Sequence, residues 1–146
     1  MTGIPNIRAV TTLWMEAGAM SGPPDHRHQI EFPNDIAEYF DDVARDDEVL
    51  LMRLPGAQLH ARPLTYRGTD YGQWTEIWRL GLLTPNMGGP QYVGRVIRFD
   101  RVPTREKTIY ELRVADPGSA EANGWENQSI HTDTTGGPAG RRYGFW

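Results

Sequence analysis

The run from Leu59 to Leu80, LHARPLTYRGTDYGQWTEIWRL, constrains this chain most. Two arms with apolar patterning flank a polar, glycine-containing centre, the pattern of strand, exposed turn and strand. In the second arm Trp74, Trp78 and Leu80 fall on one face, and Thr75, Ile77 and Arg79 on the other. The turn carries Tyr66, Arg67, Thr69, Tyr71 and Gln73, side chains that hydrogen-bond and stack. The competing reading is an ordinary solvated turn whose aromatics cover the edge of the core.

The rest of the chain extends this β pattern. Ala9 to Met15 (AVTTLWM) is β-branched and aromatic and predicts a strand. Glu16 to Gln29 (EAGAMSGPPDHRHQ) is broken by Gly18 and by Pro23–Pro24, so it predicts a long exposed loop. Ile30 to Phe32 is a short extended entry. Pro33, Asn34 and Asp35 then supply helix-start signals. Ile36, Ala37, Tyr39, Phe40, Val43 and Ala44 recur at helical spacing, predicting an amphipathic helix over about residues 34–44. Asp46 and Asp47 oppose the dipole at its end and help to stop it.

Period two returns at Glu48 to Leu54, followed by a Pro55–Gly56 turn and a strand over Gln58 to Thr65. Gln91 to Arg101 predicts a strand with Gly94 as a bulge. Thr108 to Ala115 (TIYELRVA) alternates cleanly and stops at Asp116–Pro117–Gly118. Ser119 caps a second short helix over about 119–125. The tail ends in Tyr143, Phe145 and Trp146, which predicts packing back on the body. No βαβ repeat appears. The fold class is mainly β: one domain over 1–146, an antiparallel pseudobarrel of six to seven strands with one or two short helices.

The 146 residues are enough for a real core. Zero Cys excludes a disulfide framework and thiolate zinc. No run approaches the ~18 apolar residues of a membrane span, and the N-terminus lacks a signal pattern. A cytoplasmic location is the expectation. The net charge of −4 is unevenly spread. Residues 31–48 hold eight acids and one Arg, whereas 49–146 carry an excess of base. A basic face away from the acidic helix is therefore expected. Fourteen of the fifteen basic residues are Arg, which suits bidentate contacts to guanine edges or phosphates. A codon bias explains the same excess.

Four segments carry a resemblance: IEFPNDIAEYF (30–40), EVLLMRL (48–54), QYVGRVIRFDR (91–101) and TIYELRV (108–114). Their order, around a long polar loop and a long hairpin, resembles the DNA-binding pseudobarrel family. That family includes the plant B-three transcription-factor domain and the effector domain of EcoRII-type restriction enzymes. Arg95 departs from it, standing where members usually carry an acid. The resemblance implies two loops that grip the major groove of double-stranded DNA. The first would offer Ser21, His26, Arg27, His28 and Gln29, the second Tyr66, Arg67, Thr69, Tyr71 and Gln73. Independently, Arg and Gln have the donor geometry to read base edges, and Tyr and Thr hydroxyls reach phosphates.

Catalytic and metal chemistry is poorly provided. Asp25-His26-Arg27-His28 looks like a metal arm, but Glu31 falls one residue early for a cupin pattern; His60 and His131 are the remaining candidate ligands. The one Lys, Lys107, has no Asp-x-Glu-x-Lys spacing before it. There is no phosphate loop and no nucleophile elbow. Neither a catalytic set nor a cofactor is expected, and a cleaving activity would need a separate nuclease domain or chain. Two other readings stand beside DNA binding. One is a small-molecule barrel lined by Trp14, Trp74, Trp78, Trp125 and Trp146, with His26, His28 or Glu31 as acid–base groups. The other is an interaction module that docks a basic partner on the acidic helix 35–44.

Overall fold

The computed structural model describes residues 6–18, 28–40, 47–53, 58–68, 77–105, 108–135 and 140–146. Within them lie nine strands: β1 (Thr12–Glu16), β2 (Gln29–Pro33), β3 (Asp47–Met52), β4 (His60–Gly68), β5 (Ile77–Gly81), β6 (Val96–Pro103), β7 (Thr108–Ala115), β8 (His131–Thr134) and β9 (Arg142–Phe145). They form one curled half-barrel sheet in the order β2-β5-β4-β3-β7-β6-β1-β9-β8. Every pairing is antiparallel except β3 with β7, where Leu51 and Met52 run parallel to Tyr110 and Glu111. The two strands beyond the expected count come from the aromatic tail, which folds as the β8–β9 hairpin and pairs β9 with β1. Among the described residues no helix is long and apolar enough to cross a membrane.

Alternation along the strands decides what lies inside. Leu13 and Met15, Ile30 and Phe32, Val49 and Leu51, and Ile97 and Phe99 are all buried at every second position. Helix α1 (Asn34–Ala37) continues as a 3-10 turn over Glu38–Phe40 and plugs this interior. Phe40 is its centre: its ring lies 4.9 Å from Tyr110, 5.5 Å from Phe99 and 5.7 Å from Phe32. Such pairs each add about 0.5–1.5 kcal/mol beyond their burial. The Tyr39 hydroxyl donates within the same plug, with Thr11 O at 2.6 Å and Phe99 O at 3.1 Å. These aromatic rings pack the interior beside α1.

The outer face of β1, β6 and β7 is covered separately. Helix α2 (Ala120–Gln128) starts at Ser119, whose hydroxyl accepts from Ala122 N, as its sequence predicts. It sets Trp125 against Trp14, Val96 and Ala115. The Arg98 guanidinium stands 5.5 Å from the Trp125 ring and 5.0 Å from that of Trp146, and pairs with Asp100 at 2.9 Å. Three of the five tryptophans thus pack outside the barrel, and Trp78 sits at its rim. Trp74 lies outside the described residues.

Three local expectations are corrected. Gly94 is not a strand bulge. It takes a left-handed φ of 72° in a turn, and β6 begins two residues later at Val96. Asn34 does not cap α1; its side-chain oxygen accepts instead from Trp78 Nε1 at 2.9 Å, a tertiary bond that outcompetes the local one. Ala9 belongs to a 3-10 turn, Ile7–Ala9, capped by Asn6, so the first strand starts at Thr12. Of the expected helix, residues 41–44 lie outside the described residues, as does the Pro55–Gly56 turn.

Candidate nucleic-acid interface

The first predicted loop runs from β1 to β2 and the second from β4 to β5, so three of their four stems lie on one patch of sheet, β2-β5-β4. Both β2 and β4 run antiparallel to β5, which lies between them. Gln29, where the first loop ends, stands opposite Gly81. Gly68, where the second loop departs, stands opposite Ile77. These stems therefore stand at opposite ends of β5, about 13 Å apart at ~3.3 Å per residue. They bracket the patch rather than rise from one rim.

The first loop has tightly held stems. Ala17 N donates to Arg95 O at 2.8 Å, Gly94 N to Gly18 O at 2.9 Å, and Leu82 N to His28 O at 2.7 Å. Gly18 has φ 69°, a left-handed turn that glycine adopts without strain. Of the predicted contacts, Ser21, His26 and Arg27 lie outside the described residues. His28 stands at the stem, its ring edge-on to Tyr92 at 6.3 Å. Gln29 is not a loop residue: it opens β2. The signal was present as Gln29-Ile30-Glu31-Phe32-Pro33, where Ile30 and Phe32 turn inward.

The second loop starts later than its sequence predicts. Tyr66 belongs to β4, and its ring packs on Trp78 at 5.2 Å, covering the core edge rather than facing outward. Alternation carries the strand on to Gly68, with a register shift between Tyr66 and Gly68. Arg67 lies within that shift. Thr69, Tyr71 and Gln73 lie outside the described residues.

Between the loops a polar row crosses the outer face: Glu31 on β2, Arg79 on β5 and Thr65 on β4 stand in register. Arg79 pairs with Glu31 at 3.4 Å, their side chains 18% and 40% exposed. The alternation of the strand already predicts this face for Arg79, opposite Trp78 and Leu80. Next to it, Arg141 reaches the β2 edge and donates to Glu31 O. Burial lowers the Arg141 pKa, and the Glu31 and Glu16 carboxylates oppose that shift. The last acidic positions, Asp47 and Glu48, begin β3, directly alongside β4, while 41–46 lie outside the described residues. Gln29, Arg79 and Arg141 lie on the β2–β5 side of the patch, with the Glu31 carboxylate paired to Arg79.

No group of three or more His, Asp or Glu among the described residues is placed to hold a metal ion. His131 stacks against Phe145 at 5.1 Å on β8, and His60 lies on β4. One open groove of about 320 Å³ lies at the rim beside Trp78, lined by Arg8, Asn34, Glu38, Phe40 and Leu64. No family model, curated protein or solved structure matches the chain.

Proposed function

We propose that this chain is a non-catalytic DNA-binding domain that reads the sequence or modification of duplex DNA through two arms, as an effector module of a bacterial-type restriction or defence system. One observation carries the reading: the arm with His26 and Arg27 ends on β2 beside one end of β5, the arm with Tyr71 and Gln73 joins β4 to its other end, and their stems bracket a face with Arg79 and Thr65 at its centre. A duplex lying across β2 and β5 would meet both arms in its major groove, with Arg79 toward a phosphate. The groove that Phe40 lines beside Trp78 is open, and Phe40 packs its ring on Tyr110 and Phe99, which supports this reading over a small-molecule barrel, since that needs an enclosed space. Cleavage, where it accompanies binding, belongs to another domain or chain.

The test is selection of bound duplexes from a random pool at low salt, run with modified and unmodified bases. Enrichment of a short motif, with affinity falling steeply as salt rises, is the expected result. Failure to retain any duplex at low salt would end the proposal.

A further inference from the structure

Arg141 stands where the half-barrel meets the first arm. Its backbone continues the β8–β9 ladder at the turn end of the hairpin: Arg141 N donates to Thr135 Oγ1 at 2.8 Å, and Thr135 N donates to Arg141 O at 2.8 Å. Its side chain then leaves that hairpin. Nη2 donates to Glu31 O on β2, and Nη1 lies 3.4 Å from Glu16 O at the end of β1. Glu16 and Glu31 flank the whole first arm in sequence. A single guanidinium thus spans the two stems of that arm.

The surroundings fit this role. β2 is an outermost strand, so its free edge needs donors from elsewhere. The fork of an Arg supplies two donors in fixed geometry, which the ammonium of a Lys does not. Gly18 accommodates the passing side chain, since a Cβ there would lie 3.3 Å from Arg141 Cδ. The neighbouring Arg142 N donates to Glu16 Oε1 at 2.7 Å and holds the same stem from its other side.

We propose that Arg141 is the positioning residue of the first arm: by bridging the main-chain carbonyls of Glu16 and Glu31 it sets the spacing of the arm's stems, and so the fit of the arm to duplex DNA. The DNA half of this inference rests on the function proposed above. The clamp itself does not. Arg141 is given no contact with the nucleic acid.

The experiment uses the full chain with Arg141→Lys and Arg141→Ala, the first keeping the charge should the second fail to fold. Without DNA, amide exchange is followed at Ala17 and Leu82, whose N–H groups bond the arm's stems. At least tenfold faster exchange in Arg141→Lys is expected, and unchanged exchange overturns the clamp. With DNA, affinities for the selected duplex and a scrambled one are measured across a salt series. Arg141→Lys should reduce the ratio of the two affinities at least tenfold, and Arg141→Ala, which removes the charge, should leave the salt slope unchanged. A slope smaller by about one would make Arg141 a phosphate contact instead and overturn the assignment. Val49→Ala, which loosens the sheet at β3, away from β1, β2 and β9, should keep the ratio; loss of the ratio there too would reduce Arg141 to a general stabiliser. Should the wild type bind no duplex, the proposed function and the DNA half of this inference fall together, while the exchange result still decides the clamp.

Discussion

Trp14 and Gly144 face each other in the β1–β9 ladder, and the indole covers the glycine so closely that a Cβ at position 144 would lie 2.7 Å from three of its atoms. The ring cannot yield easily. It is buried beneath α2, and its Nε1 donates to Ser129 Oγ at 2.7 Å. Gly144→Ala should therefore destabilise the fold by about 1–3 kcal/mol, the usual cost of overpacking. Denaturant unfolding followed by tryptophan fluorescence reads the shift in midpoint. A midpoint within error of the wild type would mean that the indole has room.

Ser129 serves the same ring from the helix side. Its hydroxyl accepts from Trp14 and donates to Trp125 O at 2.8 Å, tying the end of α2 to β1. Ser129→Ala strands a buried indole N–H, at a cost of roughly 1–3 kcal/mol. Because both substitutions act through one ring, the double variant with Gly144→Ala should depart from additivity by about 0.5 kcal/mol or more. Strict additivity would show that the two contacts are independent.

Alkaline pH should weaken the fold through its buried tyrosines. Burial raises the pKa of Tyr39, Tyr92 and Tyr143 above the ordinary value. All three are therefore protonated in the folded chain at pH values where the unfolded chain has begun to ionise. The unfolded state then binds fewer protons, so stability falls as pH rises. The contribution is intact below about pH 10 and erodes above it, at up to ~1.4 kcal/mol per pH unit for each tyrosine. Tyr92→Phe removes the hydroxyl that donates to Leu83 O at 2.7 Å, which costs about 1 kcal/mol at neutral pH. The same variant should flatten the alkaline decline. An unchanged slope between pH 10 and 11 would contradict the assignment.

The two Arg residues of the proposed DNA face should behave differently. Arg67, at the root of the second arm, is the candidate base reader: Arg67→Ala is expected to cost about 1–3 kcal/mol of discrimination between selected and scrambled duplexes. Arg79, held beside Glu31 on the sheet, is the candidate phosphate contact. Arg79→Gln should weaken all duplexes nearly equally and reduce the salt slope by about one. Equal behaviour of the two variants in a titration series would remove the distinction between arm and platform.

Local sequence determined much of this protein. The alternation of TIYELRVA is β7 to the residue, and Ser119 marks the start of α2 because its cap is made to a residue three positions away. The aromatic tail announced its return to the body, since Tyr143 and Phe145 have no use in solvent. These signals depend on neighbours in the chain, so they are legible without the fold. The failures share the opposite cause. Asn34 looks like a cap until Trp78 arrives from another strand, and Tyr66 looks presented until the same indole packs against it. Period two states which side chains part company across a strand but not which strand lies alongside. Only tertiary structure decided that β2 joins β5, that a stem of each loop therefore stands at opposite ends of β5, and that Arg141, more than a hundred residues from Glu31, bridges β1 and β2. Those relations arise from burying one shared core, and no short window of residues contains it.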